Sequence, residues 1–181
     1  MTARPEQVIV LDACVVINLW ASRRFDEILA TSGFRAVIAV QAAAEAVWIE
    51  DELGQRERIP TDDLAASGRV EIWTPIDDEL EVLLELAASL GDGEAGSLAV
   101  AHGRRLPVAT DDRPARRAAR GLSPQVTLRS TSQLMRAWAV ERAPTEVAQV
   151  LERIEIGAKF QPPQRDPDAP WWTTSRRGRR P

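Results

Sequence analysis

Short β-branched runs alternate with stretches of helical period along most of this chain, and few folds accommodate that pattern. QVIVL (residues 7–11) and RAVIAV (35–40) read as buried strands, followed by RVEIWT (69–74), LPVAT (106–110) and a weak QVTL (125–128). Between them lie helix-like segments. Residues 15–29 form one, broken near Gly33, and the Ala- and Glu-rich 41–53 form another, ending at Gly54. Residues 77–90 put Leu80, Leu83, Leu84, Leu86 and Ala87 on one face. Asp92 is placed to cap a helix over 93–102, and Gly121 closes one over 113–120. Thr131 or Ser132 opens a helix to Arg142, and Pro144 starts one reaching about Ile156. The polar stretch 55–68, with Pro60, reads as mobile. Strand–helix alternation predicts a three-layer α/β/α sandwich with a mainly parallel sheet of about five strands. Such sheets carry their sites beyond the carboxyl ends of the strands.

From Phe160 the character changes. QPPQRDPDAPWWTTSRRGRRP is rich in Pro and Arg and predicts an extended segment outside the core. The expected division is a domain over 1–158 and a Pro/Arg/Trp-rich tail over 159–181, the tail docking on the body, a second subunit or a partner. Residues 164–181 hold five arginines against two aspartates, which leaves −7 on the remainder of a chain whose total is −4. An acidic body is a poor duplex-DNA binder by counterion release. Carboxylates gathered around a divalent cation also look acidic to a residue count, and the bound ion reverses the local field.

Scarcity narrows the chemistry. With one cysteine, Cys14, no disulfide can form within the chain, and with one histidine, His102, no His/Cys zinc site can be assembled. The single lysine, Lys159, lies in a peripheral segment, which argues against Schiff-base or P-loop chemistry. No apolar run approaches the roughly 20 residues of a membrane span, and the start shows no secretory pattern, so no membrane partner and a cytoplasmic location are expected. Carboxylates must carry the polar chemistry.

Asp12 ends the first strand and Asp111-Asp112 the fourth. Glu45 lies one turn into the helix after the second strand, and Glu94 in the first turn of the helix after Asp92. Each has an ordinary role open to it: turn or cap residue for the aspartates, solvated or dipole-favoured position for the glutamates. Together they bring carboxylates from four segments to one predicted edge, an arrangement whose repulsion is costly without a cation. Hard oxygen ligands without His or Cys point to Mg²⁺ or Mn²⁺.

VIVLDACVVINL resembles the opening of PIN domains, where an aspartate ends the first strand and a small polar residue and an Asn follow, here Cys14 and Asn18. AVIAVQAAAEAV resembles the family's second acidic motif, with Glu45 in the metal-site position. GDGEAGSLAVAHGRRLPVATDDRPARRAA resembles a PIN branch with a Gly-Glu-Ala helix start and a Thr-Asp-Asp-Arg ending. The likeness runs over about residues 7–140. It departs where many relatives have Asp at the place of Glu94, and where some carry a second acid at the place of Gly96. The family's Thr-x-Asp spacing favours Asp112 over Asp111.

The resemblance implies a metal-dependent nuclease acting on single-stranded RNA, often the toxin of a VapC-type pair. An antitoxin protein is then a partner to look for, and a homodimer a form to look for. Asp12, Glu45, Glu94 and Asp112 would be catalytic and metal-binding, with Asp111 a further ligand. Thr110 and Asn18 would steady the ligands by hydrogen bonds. Arg113, Arg116, Arg117 and Arg120 recur at helical spacing beside this edge, either as RNA backbone contacts or as a solvated face. His102 is expected at its helix end and outside the chemistry, and Cys14 as a buried apolar residue. Two other readings remain: a catalytically silent PIN-like binding protein, and a phosphatase-type α/β hydrolase. A haloacid-type phosphatase would want Asp-x-Asp where position 14 is Cys, and a receiver domain would want a lysine late in the sheet.

Overall fold

A computed structural model of the chain describes residues 7–51 and 53–178. Residues 1–6, Glu52 and residues 179–181, with the last two arginines of the tail, lie outside the described residues. In chain order the elements are β1 (Gln7–Leu11), α1 (Ala13–Ala21), α2 (Phe25–Ser32), β2 (Phe34–Ala39), α3 (Val40–Glu45), β3 (Trp48–Glu50), β4 (Arg56–Arg58), α4 (Thr61–Ala66), β5 (Val70–Trp73), α5 (Asp78–Ala87), α6 (Asp92–Gly103), β6 (Val108–Ala109), α7 (Arg113–Gly121), β7 (Leu128–Arg129), α8 (Thr131–Ala139), α9 (Pro144–Gly157) and α10 (Ala169–Arg176).

Five strands form one sheet in the order β5-β2-β1-β6-β7, and every neighbouring pair is parallel. β1 is central, which is why Ile9, Val10 and Leu11 are all fully buried. Leu11 pairs with Ile38 on one side and Ala109 on the other. This register brings the residues that follow β1 and β6, Asp12 and Thr110, to the same carboxyl edge. Helices flank the sheet, with α3, α5 and α6 packed together and α1, α9 and α10 forming another packed group. This is the expected α/β architecture. Among the described residues no helix is long and apolar enough to cross a membrane.

Several expected elements take a different form. The helix over 15–29 is two, because the chain turns at Ser22–Arg24, where Arg23 has a φ of 61°. The helix over 41–53 stops at Glu45, and the chain continues as an antiparallel β3–β4 hairpin. Turn chemistry explains this change. Asp51 Oδ1 accepts from the N–H groups of Leu53 and Gln55, and Gly54 takes a φ of 75°. Ile49 and Ile59 are thereby buried, so much of 55–68 is ordered structure, including α4.

The caps shift by a residue. Gly91, not Asp92, precedes α6, and Ser130 caps α8 in a reciprocal pair with Gln133. The helix expected to reach Arg142 ends at Ala139. β6 and β7 are only two residues each.

The tail also differs from the expected extended segment. Residues 169–176 form α10, which packs on α9, and Trp172 is 2% exposed within the core. Trp172 Nε1 donates to Glu155 at 2.9 Å, and its ring meets Phe160 edge-on at 5.6 Å. Arg176 holds Glu152 and Glu155 from the same helix face. A segment poor in periodicity becomes helical because one large ring finds a pocket. Trp172→Ala is expected to cost roughly 3–5 kcal/mol in urea unfolding, the range for removing a buried aromatic. A change below about 1 kcal/mol would show that α10 is not integral to the fold.

Candidate metal centre

Asp12 sits where β1 passes into α1 and is 2% exposed. Its Oδ1 accepts from the Ala13 N–H at 2.8 Å and its Oδ2 from Thr110 Oγ1 at 2.6 Å, with Cys14 Sγ donating at 3.4 Å. Burial pushes the Asp12 carboxyl above the usual carboxylate range. The hydrogen bonds oppose that shift, and the charge of Glu45 adds to it. Cys14 is therefore more than apolar filling. Its sulfur bridges Asp12 and the Asp111 N–H, and burial followed by the Asp12 and Asp111 charges raises its pKa strongly.

Glu45 ends α3 and reaches across to α6, where its Oε1 accepts from the Gly93 N–H at 2.8 Å. A Cβ at residue 93 would lie 2.3 Å from Glu45 Oε2, so a larger residue there would push this carboxylate out of its present position. Glu94 Oε2 accepts from the Gly91 N–H at 2.9 Å, closing the first turn of α6. Burial raises the Glu94 pKa, and the charges of Asp112, Asp12 and Glu45 raise it further. The four acids therefore share one electrostatic neighbourhood at the carboxyl edge. Asp112 caps α7, its Oδ1 accepting from Ala115 N–H at 2.7 Å.

Asp111 is turned to a different task. Its Oδ1 accepts from the Thr131 N–H at 2.9 Å, and its Oδ2 from Thr131 Oγ1 at 2.5 Å and Asn18 Nδ2 at 3.0 Å. Asn18 also donates to Thr131 Oγ1 at 3.0 Å. Burial raises the Asp111 pKa, against these bonds and the Arg116 charge. Asp111 thus joins α1, the end of β6 and the start of α8. Asn18 supports it, and Thr110 supports Asp12.

The sequence reading missed Thr131 as a partner of Asp111, and it missed Gln41. Gln41 is one turn before Glu45 on the face of α3 that meets α6, and its buried Oε1 has no partner. A Cβ at residue 96 would come within 2.6 Å of that oxygen and would make the Gln41 side chain shift. A Gln and a Glu four residues apart facing a glycine-bearing helix start was the signal to look for.

His102 lies at the other end of α6, eight residues and about 12 Å from Glu94 at 1.5 Å per residue. Its Nδ1 is buried without a partner, and the helix is closed beyond it by Arg104.

A family model for the PIN domain matches residues 8–160. The chain belongs to the PIN domain family. No curated protein matches it. PIN domains are generally nucleases that bind nucleic acid and typically use divalent metals.

The donor set suits a hard cation. Glu45 Oε2, Glu94 Oε1 and Asp112 Oδ2 accept no hydrogen bond from the described residues. Gly93 makes a cradle that a Cβ would fill. Yet among the described residues no three acid, His or Cys side chains converge closely enough to hold an ion as they stand. Backbone N–H groups hold one oxygen of each glutamate back, and both side chains have rotatable stems with which to turn inward.

Asp111 and Asp112 separate experimentally. Asp111→Ala leaves the Thr131 N–H and hydroxyl without their acceptor and Asn18 Nδ2 with Thr131 Oγ1 alone, and should cost roughly 2–3 kcal/mol of stability. Asp112→Ala removes one helix cap, worth about 1 kcal/mol. Chemical denaturation of the two variants should rank them in that order, and the opposite ranking would reverse their roles.

Proposed function

We propose that the protein is an endoribonuclease that hydrolyses phosphodiester bonds of single-stranded RNA with Mg²⁺ or Mn²⁺. The observation that carries this reading is the charge coupling of Glu94 to Asp112, Asp12 and Glu45, four acids delivered by four segments. In this reading all four are metal ligands. Bound there, the metal would supply a water activated as nucleophile and charge stabilisation at the phosphate. Asp12 is held in one rotamer by Thr110 and Ala13, so its position is set before any ligand arrives. Glu45 and Glu94 are the adjustable members. Asp111 is a positioning residue that fixes the β6 end through Thr131 and Asn18 rather than a ligand.

The remaining parts of the reading rest on the resemblance. They are a toxin's role with an antitoxin partner, a homodimer and a cytoplasmic setting. The catalytic unit is taken as 1–158. Residues 159–181 are an appended segment whose α10 braces α9.

Cleavage of a mixed single-stranded RNA pool, free of any bound inhibitor, tests the proposal. Activity should need Mn²⁺ or Mg²⁺ and stop with chelator. Asp12→Asn and Asp112→Asn should each lower it at least a hundredfold, Asp111→Asn less. His102→Ala should leave it within about twofold. A folded His102→Ala that is inactive while Asp12→Asn still cuts RNA would refute the carboxylate mechanism.

Mn²⁺ should also raise the melting temperature, because a ligand bound only by the folded state stabilises it. Differential scanning calorimetry should show a smaller rise in Asp12→Asn and Glu94→Gln. A wild-type curve unmoved by millimolar Mn²⁺ would remove the metal from the scheme and leave a silent PIN-like binder.

A further inference from the structure

Beside the acids runs a groove of about 520 Å³, lined by Ser89 and Leu90 on one wall and Arg113, Pro114, Arg117 and Ala118 on the other. Its two walls lead directly to the candidate site. Leu90 precedes the Gly91 cap of α6, one turn from Glu94, and Arg113 follows Asp112 at the start of α7. The groove therefore adjoins the segments that carry Glu94 and Asp112.

The four arginines of α7 divide by what they touch. Arg116 is committed to the fold, its Nη1 donating to the carbonyls of Thr110 and Arg129 at 2.8 and 2.9 Å. Arg120 does not line the groove. Arg113 and Arg117 line it, are exposed, and have no ion pair or side-chain hydrogen bond among the described residues. Spaced four apart, they stand on one face of the helix, with Cβ atoms about 5–6 Å from each other.

We infer that this groove holds the sugar-phosphate backbone of a single nucleic-acid strand on one side of the bond to be cut. The inference rests on the nuclease reading and adds to it a path for the strand. A strand that reaches a cluster of four carboxylates meets repulsion, and two unpaired guanidiniums at the approach offset it. Leu90, Pro114 and Ala118 give an apolar wall against which a ribose or base face can lie. No aromatic ring lines the groove to stack a base. It should therefore read backbone charge and tolerate any sequence.

Fluorescence anisotropy with a labelled single-stranded RNA of about twelve nucleotides tests this, in chelator so that no cleavage occurs. A DNA of the same sequence serves as a second arm. Arg113→Gln and Arg117→Gln should each weaken binding about 3–10-fold on either strand. The double variant should also flatten the plot of log affinity against log salt by about 1.4, two phosphates at about 0.7 each for single strands. Arg120→Gln should change neither.

In Mn²⁺, the double variant's loss of kcat/KM should appear mainly as a raised KM, and its melting temperature should match wild type. An unaltered affinity and salt slope in the double variant, with wild type still cutting RNA, would overturn the groove and spare the nuclease reading. An equal loss in Arg120→Gln would also overturn it, since charge would then be acting diffusely. Wild type that binds the strand through both arginines and cuts nothing would sustain the groove and overturn the nuclease reading instead.

Discussion

The hydrogen bond from Thr110 to Asp12 spans 98 residues of sequence and joins the ends of two strands that pair for only two residues. The site depends on that joint. Without the parallel seating of β6 against β1, Asp12 and Asp112 would belong to unrelated loops. Asp12 is buried, and a buried carboxylate is tolerated where donors surround it. The Ala13 N–H, the Thr110 hydroxyl and the Cys14 thiol supply those donors, so the same contacts that lower the cost of burial also fix the carboxylate's direction. The Asp12 carboxylate is thus fixed in position, while Glu45 of α3 and Glu94 of α6 are each held by one backbone N–H.

Asp111 shows how neighbouring acids of equal chemistry acquire unequal roles. One peptide unit separates it from Asp112, yet its side chain faces Thr131 and Asn18 while the Asp112 charge acts on Glu94. Past the end of β6 the chain sends the two residues after Thr110 in different directions, Asp111 toward Thr131 and Asp112 onto the first turn of α7. Asp111 thus serves as a fastener for α1 and α8, and its contacts hold the edge of the sheet on which the other acids stand.

Much of this was legible in the sequence, and the failures have physical causes. β1 was recovered residue for residue, because a β-branched run bounded by Asp12 leaves no competing periodicity. Asp12, which follows β1 directly, was singled out by asking which residues end strands. The helix over 41–53 was carried too far because its Ala- and Glu-rich start reads as helix, and 55–68 was read as mobile for its polarity, whereas Asp51 and Gly54 impose a turn and Ile49 and Ile59 have somewhere to be buried. The tail failed for a related reason. Its composition says unfolded, and a single tryptophan settling against Glu155 and Phe160 overrides that local tendency. The role of Thr131 beside Asp111 was not legible, since it arises from a contact between residues 20 apart in different elements.

The outer strands of the sheet carry a separate consequence. β7 is two residues long. β5 on the opposite side is four residues, set between Gly68 and Pro75. Edges this short present hardly any unpaired ladder to a strand from another molecule. Edge-to-edge growth through the five-stranded sheet is correspondingly disfavoured.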